Sequence, residues 1–427
     1  MKDYKWNTYI IFWLTQIISQ LGSSMTSFAL ILWAYSKTQS AMSMSLMSFC
    51  NYLPYIVVSL FAGAFIDRHR KKMIILGADM IAALNTLVIL LLLMIGKLEL
   101  YHIYMVNAVT GVMNAFQGPA TSVAIGIIVP EGQYEKASGM NSFSSSVLTV
   151  VTPMLATFIY GILGLKSVIL VDLLSFIIAF VVLAGFTHIP EGLISKECKK
   201  QTLLEGCKEG WMYLKEHKGI WYLVLSMTVA NLFSRIGYEN ILPALVLTRS
   251  GGDEGILALV TGFIGFGGII GGIAVTFIKF PSARIKVIYF STASSFLVGD
   301  ILMGMSRNAW MWCFSAIATS VLIPFINAGI NGIMYEKVPK EMQGRVFSVR
   351  NALQNGTIPV GILLGGYLAD YVFEPFMKAD NQIVRFLERI VGTGKGIGMA
   401  VMFLCTGILG ALFSVIWYRH KDIRKLD

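Results

Sequence analysis

The chain has 427 residues, of which 56% are hydrophobic and only 14% are charged, and its net charge is +10. Soluble domains carry about a quarter charged residues, and apolar runs of about twenty residues can cross a bilayer as helices. These values exclude an ordinary soluble protein and indicate an integral membrane protein. The cations stand in short loops between apolar runs, which is typical of topology signals and argues against a nucleic-acid surface.

Twelve apolar segments predict an all-α polytopic membrane protein with twelve transmembrane helices in two pseudo-symmetric six-helix bundles. The predicted domains are an N-terminal bundle (1–187), a cytoplasmic linker (188–218) and a C-terminal bundle (219–427). The first segment has a basic start but no small-residue cleavage site, so we interpret it as a retained anchor. The segments are 8–34, 42–66, 73–95, 101–128, 143–163, 166–187, 219–246, 256–278, 286–305, 309–334, 346–372 and 395–418.

The distribution of Lys and Arg predicts the orientation. In the arrangement with both termini inside, 24 of the 34 cations fall at or near the inner side, nine fall outside and Arg235 lies within a segment. The positive-inside rule therefore predicts cytoplasmic termini in the plasma (bacterial inner) membrane. The mixed charges of the linker predict a surface helix with Trp211 and Tyr213 at the interface, and 373–393 predicts a short amphipathic helix on the membrane.

A short internal repeat supports the division into halves. "VPEGQYEKASGMNS" (129–142) follows the fourth segment and "VPKEMQGRVFSVRN" (338–351) follows the tenth, with Lys136 and Arg345 each six residues after the proline. Equivalent positions in two six-helix halves indicate duplication. Transporters built from such repeats bind their substrate where the halves meet.

Polar side chains recur at helical spacing on segments 1, 4, 7 and 10. Such residues either bond neighbouring helices together or line a polar pathway, because an unpaired polar group in lipid is costly. Their recurrence on every third helix favours the pathway. The candidate cavity residues are Gln16, Gln20, Asn107, Thr110, Asn114, Gln117, Asn231, Asn327 and Asn331.

Four charged residues inside segments are candidates for proton coupling. Arg235 and Glu239 are spaced i, i+4 and can pair, either as a structural ion pair or as a site where a proton or cationic substrate competes for Glu239. Asp172 and Asp300 lie towards predicted outer ends, within reach of water, where a structural role is the competing interpretation. Asp79 is predicted to be interfacial.

Several classes of site have no support in the sequence. The five cysteines fit neither a disulfide framework nor a zinc pattern. "GTGKG" (392–396) lacks the glycine and the Ser or Thr of a phosphate-binding loop, and no hydrolase motif occurs. We therefore expect no enzyme activity, no cofactor and no metal. The glycine runs 265–272 and 361–366 predict close helix packing.

The stretch "GAFIDRHRKK" (63–72) resembles the signature G-x-x-x-D-R-x-G-R-[KR] of the major facilitator superfamily. One position departs from it, because Arg70 stands where glycine is usual. The resemblance implies that helices 1, 4, 7 and 10 line the cavity and that the motif forms a cytoplasmic gate. The matching residues are Gly63, Asp67, Arg68, Arg70, Lys71 and Lys72.

Within the superfamily the chain is similar to the drug-efflux branch that contains the macrolide efflux proteins. Two features of proton-coupled exporters are altered, since Thr110 replaces an arginine and the helix 5 signature is reduced to Thr152-Pro153. The stretches that carry the likeness are 22–46, 53–79, 114–120, 129–142, 172–176, 209–219 and 344–348.

This resemblance implies a secondary transporter that exports amphipathic, drug-like compounds by alternating access with proton antiport. Its expected partners are a small-molecule substrate, protons and the lipid bilayer, and we expect a monomer. One alternative is an exporter of an endogenous metabolite such as a siderophore or lipid. Another is a non-transporting receptor or scaffold, which would not need buried polar stripes.

Overall fold

The computed structural model describes residues 2–38, 41–187, 189, 203–238, 241–251, 253–379 and 381–427. Within these ranges all regular secondary structure is helical. Glu239 and the first part of the predicted linker lie outside the described residues.

The helices follow the predicted apolar segments, with additional short helices near the segment ends. Two π-helical turns interrupt them, Ser295–Asp300 between α10 and α11 and Leu368–Phe373 between α14 and α15. The α-helices are α1 Lys2–Thr38, α2 Ala41–Arg68, α3 Lys71–Met94, α4 Leu100–Ile128, α5 Tyr134–Phe186, α6 Leu203–Glu216, α7 Lys218–Tyr238, α8 Ile241–Ser250, α9 Glu254–Phe277, α10 Arg284–Ser294, α11 Ile301–Met305, α12 Ala309–Ser320, α13 Ile323–Lys337, α14 Gln343–Tyr367, α15 Glu374–Met377, α16 Gln382–Val391, α17 Ile397–Tyr418 and α18 Lys421–Arg424.

The length and hydropathy of these helices confirm an all-α polytopic membrane protein. The described part of the chain contains nine helices long and apolar enough to cross a membrane, or ten if the bent pair Phe49–Ser59 and Phe61–Arg68 forms one span. One of the nine, within α5, breaks at Gly164, whose φ of +76° is the left-handed conformation that glycine tolerates. The predicted boundary between segments 5 and 6 falls at this break. The total of twelve spans stays a prediction.

Local sequence signals explain where several helices begin. The Asp253 carboxylate accepts hydrogen bonds from the first amides of α9, and Asn308 and Asn381 do the same for α12 and α16. In α16, Val384 and Val391 are buried while Ile383 and Phe386 are exposed. The charged Arg385 and Arg389 are exposed as well, so the segment 373–393 contains a short helix that carries both apolar and charged residues. Its position on the membrane stays a prediction.

The helices form two compact units. The first comprises the described residues of Met1–Tyr134, Leu148–Leu214 and Tyr335–Ala352. Its apolar core joins α1, α3, α4 and the second part of α5, through buried residues such as Ala29, Ile89, Ile103 and Val168. Unlike the predicted N-terminal bundle, this unit also contains the start of α14.

The second unit comprises Glu135–Val147 and the described residues of Lys215–Met334 and Leu353–Asp427. Its core joins α8, α9, α12, α16 and α17, with Leu245, Val260, Trp312 and Phe403 almost fully buried. The first turns of α5 belong to this unit.

The glycine runs pack closely, as the sequence predicts. A Cβ on Gly272 would lie 2.6 Å from the amide nitrogen of Phe143, and one on Gly271 would collide with the carbonyl of Val321. In the second run, a Cβ on Gly365 would lie 2.7 Å from the carbonyl oxygen of Ile236. Glycine at these positions lets the helix backbones approach to contact distance.

Candidate functional site

A cluster of three charged residues, two of them buried, lies where α2 ends and α14 begins, in contact with α6. The Nε atom of Arg345 lies 2.9 Å from Oδ2 of Asp67, and its Nη1 atom pairs with Glu209. The Arg345 and Asp67 side chains are only 5% and 4% exposed, whereas that of Glu209 is 35% exposed. We call these three residues the Arg345 cluster, and all of them belong to the first unit.

Glycines bring the three helix backbones together around this cluster. A Cβ on Gly63 would lie 2.6 Å from the carbonyl oxygen of Gly344 and 2.7 Å from Cα of Arg345. On α6, a Cβ on Gly210 would lie 2.9 Å from the carbonyl oxygen of Arg345. Larger residues at these positions would push the helices apart and lengthen the ion pairs. The glycine that the motif places four residues before Asp67 thus has a packing reason.

The energetics of the cluster depend on all its members being present. Burying an ion pair costs desolvation energy that offsets much of the attraction, so the net contribution to stability is small. Removing one partner costs more, about 3–5 kcal/mol, because the other charge stays buried. Such a pair holds two helices in one arrangement and can still separate when both charges become hydrated.

The other motif residues have distinct contacts. The Lys71 ammonium donates to the backbone carbonyl of Asp67 at 3.3 Å, and that of Lys72 donates to the carbonyls of Ala184 and Thr187 at 2.8 and 2.9 Å. Lys72 therefore joins the start of α3 to the end of α5. A residue that acted only as a topology signal would not need this contact. Arg68 is half-buried beside the cluster.

The departure at Arg70 has a simple backbone explanation. Arg70 precedes α3 with φ −63° and ψ 117°, an extended conformation open to any residue, and its side chain is exposed. Glycine is needed only where φ is positive or contact is close. Neither condition applies at this position.

Two of the coupling candidates, Asp172 and Asp300, are buried, whereas their positions in the sequence suggested that water reaches them. Asp172 is 3% exposed and accepts hydrogen bonds from the hydroxyls of Ser23 and Thr86. Asp300, on the first π-helical turn, is 1% exposed and accepts a bond of 3.0 Å from Thr406. The position of a residue along a span indicates its depth in the membrane. Its burial depends on whether other helices cover the face of the helix on which it lies.

The Arg235–Glu239 pair stays a prediction, because Glu239 lies outside the described residues. Arg235 is half-buried near the end of α7, where Gly361 of α14 lies against its Cβ atom. Asp79, which the sequence predicts to be interfacial, is buried among neighbouring helices. It is 7% exposed, and the amide of Gln117 donates to its Oδ1 atom at 2.6 Å.

The cavity candidates separate into bonded and exposed groups. Gln117 bonds Asp79, Asn231 donates to the carbonyl of Gln354, and Asn331 donates to the hydroxyl of Ser138. These bonds match the interpretation that stripe residues join helices. Gln16 is buried and Thr110 is half-buried, and the backbone carbonyl of Asn107 accepts a bond from Asn51. The exposed members are Gln20, Asn114 and Asn327.

Two members of the Arg345 cluster were not identified as site residues from the sequence. Arg345 carried a signal, since it is the cation of the second Val-Pro repeat. Glu209 carried none, because one acid among the mixed charges of a linker has no distinguishing pattern. The linker helix is also less superficial than predicted, with Leu214 fully buried and the Tyr213 hydroxyl donating to the carbonyl of Lys337 at 3.2 Å.

Comparison with known proteins agrees with this architecture. The chain is 26% identical over 430 residues to Macrolide efflux protein A of Streptococcus pyogenes, covering 100% of this chain and 98% of that protein. It is 20% identical over 373 residues to the Staphyloferrin A transporter of Staphylococcus aureus, covering 87% and 90% of the two chains.

A solved structure shares the fold. It is that of a bacterial homologue of the iron transporter ferroportin in an outward-facing state, with a TM-score of 0.69 and 14% identity, covering 97% of this chain and 100% of that one. The family model of the Major Facilitator Superfamily matches residues 12–362. This match extends over most of the chain, including the motif that ends α2 and the start of α14. The chain therefore belongs to the Major Facilitator Superfamily of membrane transporters, and it is not an enzyme.

Proposed function

We propose that this transporter exports amphipathic, drug-like compounds by alternating access, driven by proton antiport. The observation that carries the proposal is the buried Asp67–Arg345 pair, which joins residues 278 positions apart in sequence. The pair can hold the end of α2 and the start of α14 together in one state of the cycle and release them in the other. The full-length similarity to a macrolide efflux protein supports the class of cargo.

The proposed cycle uses the chain's own charges. With both termini cytoplasmic, the Arg345 cluster lies at the inner side and its closure leaves the cavity open to the outside. Opening separates Arg345 from Asp67 and hydrates both charges. The hydration energy offsets part of the attraction that is lost. The polar residues of apolar segments 1, 4, 7 and 10 would line the pathway. The protein acts as a monomer in this scheme.

Proton coupling is assigned first to Glu239, with Arg235 four residues earlier controlling its protonation. Neutralising a carboxylate lowers the cost of moving it between water and the protein interior. Asp172 and Asp300 are the other candidates, since both are buried carboxyls within spans.

Reconstituted vesicles test this mechanism. The purified protein in liposomes, given an imposed pH gradient, is expected to transport a lipophilic dye or a macrolide, and Glu239→Gln is expected to abolish the coupling. Absence of gradient-driven transport of either compound would refute the proposal. Intact coupling in Glu239→Gln would remove Glu239 from the mechanism and direct the same measurement to Asp172→Asn and Asp300→Asn.

A second candidate cargo is an endogenous metabolite such as a siderophore. The similarity to the Staphyloferrin A transporter of Staphylococcus aureus favours a siderophore over other metabolites. A deletion strain distinguishes the two cargoes, because loss of drug export increases drug sensitivity, whereas loss of metabolite export reduces secretion without that change.

A further inference from the structure

The surroundings of Asp172 differ from those of the other buried carboxyls. Asp172 lies in the second part of α5, and the groups that act on its carboxylate are all hydroxyls: Ser23 and Thr26 of α1 and Thr86 of α3. A Cβ on Gly22 would lie 2.9 Å from Oδ1 of Asp172, so glycine there lets the α1 backbone approach the carboxylate. Three helices of the first unit thus direct oxygen atoms at one point.

One of these oxygens is incompletely bonded. The Thr26 hydroxyl lies close enough to act on the Asp172 carboxylate, but this contact falls short of regular hydrogen-bond geometry, and the hydroxyl has no other bonding partner among the described residues. The residue is only 5% exposed. A buried hydroxyl without a well-formed bond costs up to about 1–3 kcal/mol, and one beside a carboxylate is placed to bind a ligand that both oxygens share.

The two bonds that do form are long. The Ser23 hydroxyl lies 3.2 Å from Oδ1 and the Thr86 hydroxyl lies 3.1 Å from Oδ2. A hydroxyl that donates to a carboxylate normally lies about 2.5–2.7 Å away. Oxygens that share one cation are farther apart, since cation–oxygen distances of about 2.3–2.6 Å at right angles separate neighbouring oxygens by about 3.2–3.7 Å. The separations here are close to the lower end of that range.

The other two buried acids lack this arrangement. The amide N–H of Gln117 points at Asp79 from 2.6 Å, and a donor hydrogen there repels a cation. At Asp300, Thr406 donates at 3.0 Å and Tyr238 is a further neighbour whose hydroxyl bonds Thr319 at 2.8 Å. Among the described residues, neither acid has a buried hydroxyl beside it that is incompletely bonded as Thr26 is.

We propose that Asp172, Ser23, Thr26 and Thr86 form a binding site for a monovalent cation, Na⁺. Each hydroxyl can turn its lone pair towards the ion, and its hydrogen is then free to bond elsewhere. All the donors are hard oxygens, which suit a small hard cation. A single carboxylate neutralises a single positive charge, whereas a divalent ion would leave a net charge buried in the span. The site does not depend on the cargo or on the direction of transport proposed above.

Sodium binding is measured directly on the purified full-length protein in nanodiscs. We expect saturable binding of radioactive Na⁺ and a saturable rise in Tm with NaCl, relative to KCl or choline chloride at equal ionic strength. Asp172→Asn abolishes both effects. Thr26→Val keeps the shape of the side chain but removes its oxygen, and weakens the apparent affinity about tenfold.

Matched controls separate the site from general damage. Thr15→Val changes another buried threonine of α1, whose hydroxyl bonds the carbonyl of its own helix at Phe12, and should leave Na⁺ affinity unchanged. Asp300→Asn should also leave it unchanged. The proposal is overturned if Na⁺ has no more effect than K⁺ or choline, if Tm follows pH but not Na⁺, or if Thr26→Val binds Na⁺ like the unmodified protein. None of these results bears on whether the protein exports drugs.

Discussion

Arg345 connects two carboxylates of unequal burial, and this inequality decides what each one contributes. Asp67 is held in a site from which water is excluded, whereas about a third of the Glu209 side chain is exposed. A buried charge that loses its partner has no water to replace it, while an exposed one is rehydrated. The two acids should therefore respond differently to neutralisation.

Asp67→Asn is expected to lower the initial rate of transport at least about tenfold, because the buried Arg345 guanidinium loses its carboxylate partner. Glu209→Gln should lower it no more than about fivefold, since a partly exposed pair contributes at most about 1 kcal/mol. The measurement is dye efflux from liposomes that contain equal amounts of protein.

Asp422→Asn is the matched control for this pair of variants, because it removes an exposed ion pair with Lys425 on the last helix. Its rate should equal that of the unmodified protein. If Asp67→Asn transported as fast as Asp422→Asn, the motif would act only as a topology signal.

At the scale of the element, α9 shows how a run of small residues serves two neighbours. Gly267 and Gly271 lie against Ile317 and Val321 at the end of α12, while Gly268 and Gly272 lie against the start of α5. The spacing of four residues repeats on each face, so each neighbour contacts its own G-x-x-x-G pair. Every element of this packing belongs to the second unit.

Gly272→Ala is expected to lower the stability of the purified protein by about 1–3 kcal/mol, since the new Cβ would meet the Phe143 backbone, which cannot move aside like a flexible side chain. Gly262→Ala on the same helix has open space around it and should be neutral or stabilising, by up to about 1 kcal/mol. Thermal unfolding in detergent compares the two, and an equal effect of both substitutions would show that packing is not the cause.

At the scale of the whole molecule, the helix that follows each Val-Pro repeat begins in a different compact unit from the one that holds most of that helix. The first turns of α5 belong to the second unit, and the first turns of α14 belong to the first unit. Each start carries an ion pair within its unit, Glu135 with Arg284 at 2.6 Å and Arg345 with Asp67. In the first repeat the ion pair is made by Glu135 and not by Lys136, the next residue, which the repeat aligns with Arg345.

The reactivity of Cys207, on the linker helix α6, shows whether the Arg345 cluster is formed. Gly206 packs against Ala64 of α2, and burial raises the pKa of the adjacent Cys207 thiol, so little reactive thiolate is present at neutral pH. In a protein that retains only Cys207, Arg345→Ala should make alkylation of this thiol several times faster, because α6 loses its ion pair and separates from α2.

A cysteine introduced by Glu216→Cys, at the exposed end of the same helix, serves as the reference. Its alkylation rate should not change with Arg345→Ala. An unchanged rate at Cys207 would mean that packing alone holds α6 in place and that the pair between Glu209 and Arg345 does not contribute.

The sequence by itself determined the class of protein, the approximate positions of the helices, the break near Gly164 and the motif around Asp67. These features follow from local patterns, namely apolar length, glycine and the spacing of charges, which a chain shows without folding. The assignment of 1–187, 188–218 and 219–427 as domains, and the twelve spans, stay predictions of the same kind.

Only the tertiary structure decided which charges meet and which are buried. Asp67 and Arg345 are 278 residues apart, and Glu209 comes from a linker whose composition indicates only a surface helix. Asp172, Asp79 and Asp300 looked accessible because sequence indicates depth along a span but not which face other helices cover. Pairing and burial arise from contacts between distant segments, so no local pattern of residues encodes them.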